Sequence, residues 1–171
     1  MKPQTLSLAV LLAIPFVLQA GDSPDGATAA GQAAAPASMP ASTHVVLQEA
    51  DLKWGDAPPA FERGAQLAVL SGDPGKPGLF VIRIKAPAGY KVANHFHPAD
   101  EHVTLLDGDV TLQMNDGAQT QALTRGAYVL LPAQMHHAVS TKGGMTVQVS
   151  AMGPFELTYV DPKDDPRKRA P

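Results

Sequence analysis

From about residue 44 onward the chain runs in short stretches that alternate apolar and polar residues, punctuated by Gly, Pro, Asn and Asp. In LFVIRIK (79–85), Phe80, Ile82 and Ile84 fall on one face, and Arg83 and Lys85 on the other. DVTLQMN (109–115) sets Val110, Leu112 and Met114 against Thr111, Gln113 and Asn115, and MTVQVS (145–150) and FELTY (155–159) repeat the pattern. Side chains on a strand point alternately to opposite faces, so such runs each bury one face. Turn residues about every 8 to 12 positions are the mark of a β-sandwich or barrel. Turns are expected at GDPGKPG (72–78), APAG (86–89), DGD (107–109) and NDG (115–117), the last an Asp-Gly hairpin signal. No stretch in this region has a 3.6-residue period. The expected class is all-β, with little helix.

At 171 residues, the chain has room for one domain and a tail. A net charge of −3 provides no basic field for nucleic acid. The terminal RKR (167–169) reads as a solvated end. Cysteine is absent, which excludes disulfides, thiolate catalysis and cysteine-ligated metal and suits an oxidising compartment.

Lys2 precedes an apolar run from Leu6 to Leu18 that contains Pro15 and leads into small residues. That is the layout of a secretory signal, too short for the roughly 20 residues of a spanning helix. Cleavage is expected after Ala20 or within 27–30. The expected organisation is a signal peptide at 1–20, a flexible Ala/Gly/Pro/Ser-rich linker at 21–43, a barrel domain at 44–160 and a charged tail at 161–171. The mature protein is expected to be periplasmic or secreted, with no membrane contact after signal removal.

Three of the six histidines fall in HFHPADEH (95–102). On an extended strand, His95 and His97 share a face. A short bend at PAD returns Glu101 to that face, followed by Val103 and Leu105, and His102 falls opposite. In GAYVLLPAQMHHAVS (126–140) only one of His136 and His137 can face inward. If Val139 faces the core, it is His137.

The spacing Gly89, five residues, His95-x-His97, three residues, Glu101, six residues, Gly108 resembles the first motif of the cupin superfamily. From this chain's own residue frequencies, chance agreement is about 2 in 10 million per starting position, so the match is specific. The second motif is met at Gly126, Pro132 and His137. It departs at Gln134, where the superfamily has glycine, and at Thr141, where it has asparagine. The resemblance spans about residues 66–152. It implies a double-stranded β-helix, the cupin jelly-roll barrel, holding one divalent transition metal through His95, His97, Glu101 and His137. A set of imidazoles and a carboxylate without sulfur suits Fe, Mn, Ni or Zn. Four ligands on a six-coordinate ion leave two positions for substrate, as in a catalytic rather than a structural site.

Other residues read more plainly. His102 and His136 are surface residues, Asp100 a turn residue, and Asn94 a residue at the start of the ligand strand. Tyr90 and Gln134 lie within reach of the barrel mouth. Met114, Met135, Met145 and Met152 are core or rim packing, Trp54 staples the N-terminal arm, and Gly89, Gly108 and Gly126 sit where a side chain would clash. The functional expectation is an exported metal-dependent enzyme of dioxygenase or decarboxylase type acting on a small organic molecule, with Glu101 carrying a proton. The alternative is a non-enzymatic ligand- or metal-binding module of the cell envelope. Pairing into a homodimer is expected through THVVLQ (43–48).

Overall fold

The structure, a computed structural model, describes residues 44–169. The signal-peptide and linker segments therefore lie outside the described residues. Eleven strands follow in order: β1 Gly55–Asp56, β2 Gln66–Ser71, β3 Gly78–Ala86, β4 Lys91–Phe96, β5 Glu101–Gly108, β6 Val110–Met114, β7 Gln119–Leu123, β8 Tyr128–Leu131, β9 His137–Ser140, β10 Met145–Gly153 and β11 Thr158–Tyr159. The helical elements among the described residues are single 3-10 turns at Glu49–Asp51 and Pro166–Lys168. None is long and apolar enough to cross a membrane.

All pairings are antiparallel. One sheet has the order β1-β2-β3-β10-β5-β8 and the other β11-β4-β9-β6-β7. From β3 onward the chain changes sheet at nearly every connection, which winds two sheets around one interior. β3 and β10 pair along nine residues each. Their alternation delivers Phe80, Ile82, Ile84, Val147, Val149 and Ala151 to the core. Phe80, Ile82, Leu105 and Val149 are the largest fully buried side chains, each worth about 1.5–3 kcal/mol of burial. The outward residues of β3 hold the N-terminal arm: Arg83 pairs with Glu49, and Lys85 lies 4.9 Å over the Trp54 ring.

The Asp-Gly signal is met. Ala118 N–H donates to the Asn115 carbonyl, while Asp116 and Gly117 have φ of 55° and 86°, the left-handed pair a tight hairpin uses. At the two departures from the second motif, the side chains present adapt. Gln134 adopts φ 64°, the conformation a glycine would take without strain. Thr141 is buried, and its Oγ1 accepts from the Gly144 N–H, pinning the turn before β10.

Several expectations need correcting. FELTY is a strand only at Thr158–Tyr159, because Phe155 to Leu157 fold inward across the end of the barrel. Met152 is exposed on the outer face of β10. The RKR side chains (167–169) are exposed as expected, but the tail is tied down at its base. Asp165 is buried, Arg167 donates to it and to the Leu157 carbonyl, and Arg169 pairs with Glu62. Of the three motif glycines only Gly108 would clash, against the Gly144 carbonyl. Gly89 and Gly126 are needed for positive φ, with open space around them. Within the single chain, residues 44–48 form no strand and leave Val45, Val46 and Leu47 exposed, which does not bear against the expected pairing of copies.

Candidate metal centre

The connection from β4 to β5 crosses between the sheets, and this sets the site's geometry. His95 is on β4, His97 is just past its end, and Glu101 begins β5 on the opposite wall. His137 begins β9, the neighbour of β4, and pairs directly with His95. All four side chains are buried and line one cavity of about 70 Å³. One ring nitrogen from each of His95, His97 and His137 lies within 4.8 Å of the others. Glu101 approaches from the other sheet, its Oε2 3.6 Å from His97 Nε2 and 3.4 Å from His137 Nε2.

Hydrogen bonds behind the rings fix which nitrogen faces inward. His95 Nδ1 is 2.7 Å from the Ala93 carbonyl, His97 Nδ1 2.8 Å from the Glu156 carbonyl, and His137 Nδ1 3.0 Å from the Met135 carbonyl. A carbonyl only accepts, so each Nδ1 carries a proton and each Nε2 is the nitrogen turned to the cavity. Burial, reinforced by the neighbouring His137 and His97, holds His95 well below the ordinary histidine range. Burial lowers His97 too, with the Glu101 charge pulling the other way. His95 and His97, kept uncharged by burial, and His137 beside them thus turn their Nε2 atoms inward, with the Glu101 carboxylate at separations beyond good hydrogen bonds. The three histidine nitrogens could hold a cation, with the Glu101 carboxylate beside two of them, so the donor set fits a metal.

Nearby side chains support this arrangement. The Phe155 ring stacks on His97 with centroids 4.2 Å apart at 13°. Asp100 Oδ1 accepts from the Ala133 N–H at 2.8 Å, and Gln134 N–H donates to the His97 carbonyl at 2.8 Å. These bonds tie the β4–β5 crossover to the turn before His137. Tyr90 lines the cavity, but its hydroxyl donates to the Glu62 carbonyl. The residues read as surface stay out: His102 is exposed and bonded to the Tyr128 hydroxyl, and His136 bonds Asp116 and stacks on Phe96. Asn94 also bonds Asp116. Phe155 and the Glu156 carbonyl were missed because FELTY reads as a strand, and its contact with His97 spans 59 residues of sequence.

A family described as a domain of unknown function (DUF4437) matches residues 20–158. No curated protein sequence matches the chain. Among solved structures, the polyketide cyclase RemF from Streptomyces resistomycificus superposes with a TM-score of 0.63 at 17% identity, covering 72% of this chain and 90% of that one. The DMSP lyase DddQ from Ruegeria pomeroyi gives 0.55 at 24% identity, covering 67% and 64%. An RmlC-like cupin from Shewanella frigidimarina gives 0.53 at 15%, covering 65% and 91%. At these identities the likeness establishes the jelly-roll cupin fold, and the reaction is left to the site.

Proposed function

The chain belongs to the DUF4437 family and is built on the cupin fold, and from that premise we propose that it is an exported metal-dependent enzyme acting on a small organic molecule. The observation that carries the proposal is the buried cluster of ring nitrogens from His95, His97 and His137, with the Glu101 carboxylate beside two of them. His95, His97 and His137, with Glu101, would hold one divalent transition ion such as Fe, Mn, Ni or Zn. Such an ion, when bound, polarises an oxygen of the substrate or carries redox change.

The chain's own residues do the rest. The imidazoles are locked by backbone carbonyls and cannot turn to shuttle protons. Tyr90 is engaged with Glu62, and burial keeps its hydroxyl protonated. Glu101 is therefore the group among the cavity-lining residues free to take and return a proton. Apolar side chains such as Val103, Leu112 and Val149 surround the polar cluster and exclude water. Dioxygenase or decarboxylase chemistry fits one acid–base group beside a metal in a dry pocket.

One observation favours the alternative of a binding module: the described pocket offers no second acid or base. Metal analysis of periplasmic protein, followed by oxygen- and carbon-dioxide-exchange assays on a panel of small acids and phenols, separates the readings. About one Fe, Mn or Ni per chain with turnover supports the enzyme. Zinc alone with no turnover favours the binding module.

A further inference from the structure

The barrel has a second space that the histidine cluster does not explain. A cleft of about 560 Å³ lies between the turn at 58–60, the loop at Pro74 and Gly75, and segment 155–158. Phe61, Phe155 and Leu157 line both this cleft and the histidine cavity. They form a partition one side chain thick. Phe155 has its flat face on His97 and its ring 5.2 Å, centroid to centroid, from Phe80 at 61°.

Size separates the two compartments. Sites that enclose small organic ligands run to roughly 300–1,000 Å³. At about 70 Å³ the histidine cavity has room for an ion and a small head group, whereas the cleft, at about 560 Å³, falls within the ligand range. Beyond the shared residues, Pro58, Pro59 and Leu67 supply the apolar part of the cleft wall, and Glu156, Thr158 and Arg167 add polar groups beside it. Arg167 lies on the rim, its Nε and Nη2 donating to Asp165 and Nη2 also to the Leu157 carbonyl, so its charge is paired with a carboxylate.

We propose that this cleft binds the body of the substrate, a small molecule with an apolar frame and one oxygen-bearing head group, and that Phe155 is the specificity-determining residue past which the head reaches the histidines. This deepens the enzymatic reading and rests on it for the site of reaction.

The probe is 1-anilinonaphthalene-8-sulfonate, an apolar frame with a single anionic head, titrated into the metal-containing full-length protein. Ala60→Trp and Gly75→Phe each add a ring at the cleft from a separate turn and replace no partition or histidine residue. The wild type is expected to bind one probe per chain saturably. Each variant should weaken binding about tenfold or more, with metal content unchanged and circular dichroism native. If one variant fails to fold, the other carries the test. No saturable binding, or equal binding to the filled variants, overturns the proposal. Phe155→Leu thins the partition, and its probe affinity should respond to chelation of the metal more than the wild type's does. An equal response removes Phe155 from the role. Wild type without metal whose probe is still lost in both filled variants would sink the metal reading and leave the cleft standing.

Discussion

His95 and His137 face each other directly across β4 and β9 with ring centroids 4.1 Å apart, and a β-bulge makes this possible. Val92 pairs with Val139 and His95 with His137, so three steps along β4 oppose two along β9. The extra residue lets Val92 and His95 both point inward despite their opposite parity. The same irregular stretch supplies the Ala93 carbonyl that fixes the His95 tautomer. Backbone geometry aims the ligand and sets its protonation together.

Removing a ligand should empty the site. His97→Ala is expected to lower metal affinity at least about 100-fold, since lesser changes behind the ligands already cost about 10–100-fold. His102→Ala, one residue from Glu101 but on the outer face, should leave it unchanged. Equilibrium dialysis against a metal buffer measures both.

Acid should destabilise the metal-free protein in a defined window. Burial depresses His95 and His97 below the ordinary value of 6.5, so the unfolded chain binds more protons than the native one at acid pH. Stability is then fully present above about pH 6.5 and is lost as pH falls below that value. The depressed surface carboxylates, with an ordinary value of 3.8, act only at lower pH. Urea midpoints of chelator-treated protein should fall between about pH 7.5 and pH 5, and fall less in His95→Gln.

The two crossovers that carry the ligands are held together by Asp100. Asp100→Ala, which loses the bond from the Ala133 N–H to the carboxylate, should cost about 1 kcal/mol. It should also weaken metal binding about tenfold, because the bond positions ligands without touching the ion. Asp100→Asn, which keeps the acceptor oxygen, should restore most of both. Thermal melts and metal titration of the two variants provide the check.

Backbone conformation predicts opposite outcomes at two positions. Gln134→Gly relieves a left-handed φ of 64° and should be neutral to stabilising by up to about 1 kcal/mol. Gly108→Ala combines a φ of 84° with overlap on the Gly144 carbonyl and should destabilise by about 2–4 kcal/mol. Chemical denaturation of both variants tests the pair.

Strand parity was enough to place His95, His97 and His137 inward and His102 and His136 outward, because imidazole-bearing strands flanked by Val and Leu have one buried face. The alternation of Phe80, Ile82 and Ile84 likewise located the core. What parity cannot carry is any place where the period breaks. The β4 bulge shifts Val92 against His95 without a local signal beyond Ala93 and Asn94. Phe155 to Leu157 alternate like a strand but close the barrel end, since the bonds that hold them run to His97 and Arg167. The RKR at 167–169 is exposed as its charge suggests, yet the bonds that anchor it, from Arg167 to Asp165 and to the Leu157 carbonyl, leave no mark in the local pattern.

The central claim is that three ring nitrogens and one carboxylate enclose a single cation. Anomalous diffraction from crystals grown with Mn²⁺ or Co²⁺ addresses it most directly. The account predicts one dominant peak per chain, bounded by Nε2 of His95, His97 and His137 and by the Glu101 carboxylate, and absent in crystals of His97→Ala. A peak elsewhere, or a peak at that point that survives the loss of His97, would contradict it.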